Sequence, residues 1–430
     1  MARRAPLEGI RVADFTWVWA GPFCTLQLAH LGAEVIRVET ATRLCVTRLL
    51  PPYPDMQAGT NRSGYFNQYN QGKKSITLDL KRPEAVEVAR RLCAASDVVA
   101  ENFAAGVMDR AGLGYETLRQ RKPDLIMVAL SGYGATGPDS DKVSYGPAQV
   151  PLSGMSSVTG YRGFPPMHVG ISYGDPTGGL HGAVAVLAAL LHRARTGEGQ
   201  YIDLSQWETS MAVLPDALVE YTMNGTPPAR DGNRDRHLAP HGIFRAAGHD
   251  RWIAVAVEDD AAWARLAALL GRPELASDPR YATLAARKLH EDELEALLTS
   301  WTSERSPEEA TATLQAAGIA AFVAATNRDL AEDAHLDARG FHVDLEHPEV
   351  GVRRHLGVPW RMSASDCRVR TPAPCLGADD VTQLLTGGLV HFTNRSADPD
   401  GDFTVTLQVS QVSDGRGGLS EPKRERISVR

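Results

Sequence analysis

IRVADFTWVWAGPFCTLQLAHLGAEVIRVE, residues 10–39, decides the fold. Ile10–Phe15 (IRVADF) reads as a buried strand. Gly21–Gly32 (GPFCTLQLAHLG) reads as a helix that ends on glycine. Val35–Glu39 (VIRVE) reads as a second strand. A strand–helix–strand unit this short implies parallel pairing with a right-handed crossover. The pattern then repeats. Pro83–Ser96 is a helix with proline in its first turn, and Asp97–Glu101 is a strand. Asp124–Ser131 (DLIMVALS) is a nearly continuous apolar strand, as expected when both sheet faces are covered. The first part of the chain is therefore an α/β, Rossmann-like open parallel sheet, whose ligands sit at the carboxyl ends of the strands.

Gly132–Gly137 (GYGATG) fits the GxGxxG pattern after a strand. Pro138, Asp139, Ser140 and Asp141 follow, and they do not open a helix that can hold a pyrophosphate. The turn after Phe15 has no glycine triplet either. These glycines read as a turn and loop, not a dinucleotide site.

The chain has 430 residues, so at about 150 residues per domain it is expected to hold two to three domains. Its 43% apolar and 23% charged residues are ordinary globular values and exclude wholesale disorder. Lysine and arginine number 45 against 52 aspartates and glutamates, a formal charge of −7. No global basic field exists for nucleic acid, so an anionic ligand must be met by local cations. The five cysteines are scattered and never form a CxxC pair, which excludes a disulfide scaffold or zinc ribbon and fits a reducing cytoplasm. No HExxH or HxH occurs, so a metal site is not indicated. The longest apolar run, Gly182–Leu191, is too short for a membrane span. A cytoplasmic enzyme without membrane or nucleic-acid partner is expected.

Gly174–Gly179 (GDPTGG) precedes a long apolar helix running to about Arg195. Aspartate followed by proline is a good helix start, so Asp175 reads equally well as an N-cap and as a reactive group. In the second reading the helix dipole holds Asp175 ionised, and Gly178 and Gly179 leave room for a bulky ligand. A positioned carboxylate beside backbone N–H groups can attack an acyl carbon.

Six segments together resemble the class III CoA-transferases, the formyl-CoA/carnitine CoA-transferase family of CaiB/BaiF type. They are Asp14–Glu39, Asn70–Leu80 (NQGKKSITLDL), Val98–Leu118 (VVAENFAAGVMDRAGLGYETL), Ser131–Pro138, Gly174–Leu190 and Arg195–Glu208 (RTGEGQYIDLSQWE). The resemblance spans roughly residues 7 to 380. It implies two ring-like chains interlocked as a dimer, with a homodimer or a related subunit both open. It implies a large CoA-binding domain over 1–199, a linker over 200–232 and a small inserted α+β domain over 233–325. A return segment would cover 326–385. Within the small domain, Gly242–Phe244 and Trp252–Val257 read as a hairpin around residues 247–250, followed by helices at Asp260–Leu270, Glu291–Ser303 and Pro307–Gly318. Residues 386–430 depart from the family's closing helix; they alternate like strands, and Asp398–Asp402 suggests a turn or half a calcium loop.

The resemblance also implies a reaction. CoA moves from an acyl-CoA donor, succinyl-CoA by default, to a free carboxylic acid, with coenzyme A as co-substrate and no metal. Asp175 matches the family's nucleophile. Val18, Trp19 and Ala20 match the backbone that meets CoA, and Lys73 and Lys74 match a CoA-binding loop just before a strand. Asn102 and Phe103 match an adenine-side contact, Arg110 a phosphate-binding arginine, and Lys142, shifted by one residue, a CoA-contacting lysine. Trp17, Tyr145, Gly178 and Gly179 are substrate-side candidates. Trp19 and Thr40 stand where the formyl-CoA member has glutamine and arginine, so formate and oxalate are not the expected acids. Trp17 and Trp19 point to an apolar or aromatic wall. An acyl-CoA racemase of the same fold needs a histidine where this chain has Tyr145. An intramolecular CoA-shifting isomerase and a non-catalytic subunit are the other readings.

Overall fold

Six strands run parallel in one sheet: β1 (Arg11–Asp14), β2 (Glu34–Glu39), β3 (Lys73–Thr77), β4 (Val98–Glu101), β5 (Ile126–Ser131) and β6 (Gln200–Ser205). Their spatial order is β3-β2-β1-β4-β5-β6, the doubly wound order that reverses between β1 and β4. This computed structural model describes residues 3–380 and four strands beyond them, β12 (Gln383–Leu385), β13 (Gly388–Val390), β14 (Phe403–Gln408) and β15 (Arg424–Val429).

The strands read as unbroken apolar runs because both faces are buried. Val12, Val35, Val98, Ile126 and Val128 face one layer, with Leu28 of helix α1 (Ala20–His30). Ala13, Ile36, Val99 and Met127 alternate to the other. The helices continue as α2 (Gly64–Tyr69), α3 (Pro83–Ala94), α4 (Val107–Arg110), α5 (Tyr115–Leu118), α6 (Gly146–Leu152), α7 (Met155–Val158), α8 (Gly174–Thr196), α9 (Gln206–Met211) and α10 (Pro215–Asn224). Leu92 and Cys93 of α3 cover the second face. Ala183, Val186 and Ala189 of α8 join α1 on the first. Gly134 and Gly137 lie in a loop with φ of 89° and 88°, and no helix follows them directly.

The free edge of β3 is covered from far along the chain. The Gly72 N–H donates to Thr371 O (3.0 Å), and Ser75 and Asp379 exchange backbone and carboxylate contacts at 2.9 Å. The Thr77 N–H donates to the Asp380 carboxylate (2.8 Å).

The chain divides into two compact units. One holds residues up to Met155, Val169–Pro215 and residues from Gly340 on; the other holds Ser156–His168 and Asp216–Arg339. In the second, β7 (His241–Arg245), β8 (Trp252–Ala256) and β9 (Ala320–Val323) form an antiparallel sheet. Helices α11 (Asp260–Leu269), α12 (Leu284–Leu289), α13 (Glu291–Thr302), α14 (Pro307–Ala316), α15 (Asn327–Ala331) and α16 (Ala334–Ala338) belong to the same unit. Ile253, Trp263, Leu266, Leu298 and Leu314 meet in its core. The hairpin and the three long helices lie where the sequence puts them; β9 is an addition to that expectation.

Other stretches differ from expectation. Residues 200–232 are not a plain linker, since β6, α9 and α10 fall there. QYIDLS is an edge strand covered on one side, so its polar alternation hides it. The return segment contains a hairpin, β10 (His342–His347) with β11 (Gly351–Leu356). In the tail β12 pairs with β13 and β14 with β15, all antiparallel; Asp398–Asp402 lies outside the described residues.

Candidate active site

The turn from β1 into α1 leaves the sheet where the strand order reverses, and each of its residues is held. The Thr16 N–H donates to Asp14 Oδ1 (2.9 Å). The Asn102 amide, just past β4, grips Trp17 at both ends: Oδ1 accepts the Trp17 N–H (2.6 Å) and Nδ2 donates to its carbonyl (2.7 Å). The Val18 N–H donates to Cys45 Sγ at 3.3 Å. Val18 itself adopts φ 63°, a region that β-branched residues rarely occupy.

Beneath this turn lies a buried charged cluster. Asp14 Oδ2 accepts from Thr25 (2.8 Å) and from Lys73 Nζ (3.1 Å). Burial alone would raise the Asp14 pKa, but Lys73, Arg37 and the Thr16 and Thr25 hydroxyls hold it below the usual carboxylate range. Lys73 also donates to Pro22 O and Asn70 Oδ1 and has no solvent exposure at its side chain. Lys73 and Lys74 are the first two residues of β3, not a loop before it. Lys74 leaves on the opposite face and pairs with Glu34 at 2.6 Å. Lys73 is not available for a phosphate, because strand alternation sends it into the core; Lys74 lies on the opposite face, partly exposed.

Asp175 is the second residue of α8, one past Gly174, and no side chain caps this helix. The plain capping reading therefore fails. The Thr177 hydroxyl instead donates back to Tyr173 O (2.6 Å). Glycines let α8 press onto its neighbours. A Cβ at Gly179 would lie 2.7 Å from Ala20 O, and one at Gly178 2.9 Å from Gln206 Cγ. Both glycines thus serve packing against α1 and Gln206; the ligand room expected at them is filled by protein. The close approach brings the Asp175 carboxylate to the first turn of α1, where the Ala20 N–H donates to it. Two helix N-termini converge on one carboxylate.

That carboxylate is not held firmly ionised, contrary to expectation. Burial pushes its pKa up to about 7, against the opposing pull of the Ala20 N–H. Desolvation outweighs the one backbone donor. Gly146, at the start of α6, abuts it: a Cβ there would stand 1.7 Å from Asp175 Oδ2.

Asp175 opens into a cavity of about 440 Å³ whose lining includes Trp17, Val18, Asn102, Phe103, Lys142, Tyr145 and Gly146. Trp17 and Phe103 stack obliquely with ring centroids 6.4 Å apart. Lys142 is exposed and paired with Asp139 at 2.5 Å. Arg43 also lines the cavity, with its guanidinium 5.3 Å from the Trp17 ring. Gln206 joins the wall; its Nε2 is tied to Leu130 O (3.1 Å), while its buried Oε1 has no partner among the described residues.

Trp19, Ala20, Lys73, Lys74, Arg110, Gly178 and Gly179 are not part of this lining. Arg110 ends α4 at the surface. Ala20 acts through its N–H. Trp19 turns to the other side of the Val18 kink and is 8% exposed. It packs on Tyr69 (5.0 Å between centroids) and Tyr65 (5.7 Å) of α2. Burial and the Asp175 charge push both tyrosine hydroxyls upward, Tyr69 to about 12. Asp175 thus lies between a cationic cavity bordered by Trp17 and an aromatic cluster containing Trp19.

Arg43, Cys45, Tyr65, Tyr69, Gly146 and Gln206 escaped sequence reasoning. Arg43 had a signal, a cation three residues after Thr40. Tyr65, Tyr69, Gly146 and Gln206 come near Asp175, and Cys45 near Val18, only through folding.

A doubly wound sheet with a buried carboxylate and a cationic cavity at its switch point defines an α/β enzyme acting on an anionic ligand. A model of CoA-transferase family III matches residues 7–380, and the chain belongs to that family. It is a CoA-transferase, moving CoA from an acyl-CoA to a carboxylic acid. It is 35% identical over 399 residues to the succinate–glutarate CoA-transferase of Agrobacterium fabrum, covering 92% of this chain and 98% of that protein. It is 34% identical to the succinyl-CoA–D-citramalate CoA-transferase of Chloroflexus aurantiacus, covering 86% and 91%. Among solved structures, a CaiB/BaiF family protein from Brucella suis matches with a TM-score of 0.80 and 33% identity, over 88% of this chain and 97% of that one.

Proposed function

We propose that this chain takes CoA from succinyl-CoA and passes it to a second carboxylic acid through covalent intermediates on Asp175. The observation that carries this reading is the Asp175 carboxylate, buried where two helix N-termini meet and open to a cavity flanked by Arg43 and Lys142. The succinyl donor rests on the two relatives named above.

Asp175 attacks the thioester carbonyl, forming a mixed anhydride and releasing CoA thiolate. The thiolate attacks the Asp175 carbonyl, frees the donor acid and leaves an aspartyl-CoA thioester. The acceptor carboxylate attacks that thioester and releases the thiolate again. The thiolate then attacks the acceptor's acyl carbon, and Asp175 returns as a carboxylate. One thioester replaces another, so no external energy source is required. The Ala20 N–H and the N-terminal amides of α8 are suited to oxyanion charge developing at Asp175. Arg43 and Lys142 offer local cations for CoA phosphates in a chain of net charge −7. Trp17 and Phe103 provide faces for the cofactor's apolar stretches. Tyr145, 62% exposed, stands at the cavity mouth.

The test is mass spectrometry of the Asp175 peptide after incubation with succinyl-CoA. The expected result is a CoA-sized adduct, convertible to a hydroxamate by hydroxylamine and absent from Asp175→Ala. No adduct in a protein that binds CoA would refute the reading.

The chain is further proposed to work as an interlocked dimer with its own copy or a related subunit. Leu180, Val184 and Leu191 form an exposed apolar stripe along α8, and α10 buries none of its residues within a single chain. Light scattering after size exclusion is expected to give twice the 46.5 kDa chain mass. A monomer would refute the interlocked assembly.

A further inference from the structure

We infer that Cys45 is a positioning residue for Asp175, acting through the turn that joins β1 to α1. The inference rests on the reading of Asp175 as the nucleophile.

Val18 is the weak point of that turn. A β-branched residue at φ 63° is strained, and such residues persist only where their surroundings hold them. Trp17 before it is clamped by Asn102, and Ala20 two residues on is held by Asp175. Among the described residues, the partner of the Val18 N–H is the Cys45 sulfur. That sulfur is buried and fixed. It lies 3.1 Å from Thr47 Oγ1, and the Arg48 N–H donates to the Cys45 carbonyl at 2.9 Å. Arg48 is in turn locked to Glu39 at the end of β2 by two contacts of 2.7 and 2.8 Å. The thiol is therefore carried by the sheet itself.

The consequence reaches the backbone amide two residues on. If Val18 relaxed to negative φ, the peptides that follow would rotate, and the Ala20 N–H would leave Asp175. Val18 would also shift in the cavity wall it lines. Cys45 touches neither substrate nor Asp175; it holds the backbone that does.

The test is a double-mutant cycle with a readout independent of activity. Loading of Asp175 at saturating succinyl-CoA is timed in wild type, Cys45→Ala, Cys45→Ser, Val18→Gly and the double variant. Amide hydrogen exchange of the peptide containing Val18 is followed in the same unliganded proteins. Cys45→Ala is expected to slow loading and speed Val18 exchange, each about tenfold, the scale of one strained left-handed residue. Half-saturation by succinyl-CoA is expected to stay within about twofold, and Cys45→Ser, which keeps an acceptor, to recover most of the loss. In the Val18→Gly background, Cys45→Ala is expected to change loading by less than about twofold, because glycine adopts this φ unaided. Unchanged loading or exchange in Cys45→Ala, or the full loss persisting in the Val18→Gly background, would overturn the assignment. If wild type does not load while Cys45→Ala still speeds Val18 exchange, the transferase reading falls and the hold of Cys45 on Val18 stands.

Discussion

On the mechanism proposed above, Asp175 must be buried to keep water from an acyl intermediate, yet burial favours its protonated, less nucleophilic form. A pKa of about 7 is the outcome of that conflict. Its effect on stability has a definite sign. The folded-state value lies above the ordinary 3.8, so folding favours the protonated carboxyl. The ionised form carries a penalty that grows as pH rises from about 4 to 7 and is constant above. Asp175→Asn removes it. At about 1.4 kcal/mol per pKa unit, the variant is expected to be more stable than wild type at pH 8, by up to about 4.5 kcal/mol. The difference should vanish near pH 4, as read by urea unfolding at both values. Loading of Asp175 by an acyl-CoA should rise with pH through about 7 and then level. A flat stability difference would mean that Asp175 is more solvated than its surroundings imply.

At the scale of elements, the site depends on how closely α8, α1 and α6 approach one another. Gly146→Ala places a methyl group where the Asp175 carboxylate now sits. Loading is expected to fall by at least about a hundredfold, the cost of displacing a reacting group by an ångström. Because α6 tolerates alanine well, thermal stability should drop far less. A loading rate near wild type would show that Asp175 can work from another rotamer. Helices α1, α3 and α8 and the central strands were legible because β1, β4 and β5 are short apolar runs covered on both faces, and because proline and glycine mark the ends of α3 and α1. β6 was not legible, since QYIDLS is an edge strand with alternating polarity. Asp175 could be picked out from its local DPTGG pattern. Ala20 was named through the family resemblance, but Gly146 and Gln206 beside Asp175, and Cys45 behind Val18, were not, because each is brought in by a different segment. Gly178 and Gly179 mislead for the same reason: a glycine looks alike from sequence whether a ligand or a helix backbone fills the space beside it.

For the molecule as a whole, the Asp14–Lys73 pair ties the middle of the sheet to its edge strand and to the site's entry turn. Two adjacent lysines look like surface charge, and nothing near Lys73 in the sequence reveals an aspartate 59 positions away. Lys73→Ala would leave the Asp14 charge buried without its ammonium partner. A loss of about 3–5 kcal/mol in folding stability is expected, measurable by denaturant unfolding. A variant with normal stability but weak CoA binding would instead make Lys73 a ligand contact. Lys74→Ala, which removes only a partly exposed pair with Glu34, should cost at most about 1 kcal/mol.

The cover on the edge of β3 sets a timetable for synthesis. Ser75 and Thr77 find their partners Asp379 and Asp380 more than 300 residues later. At roughly 5–20 residues per second, a ribosome takes about 15–60 s to deliver that cover. For that interval the nascent chain carries an open strand edge, the kind of surface that pairs with other chains. Chains stalled or cut before residue 371 would keep it permanently, which makes premature termination a route to aggregation as well as to lost activity.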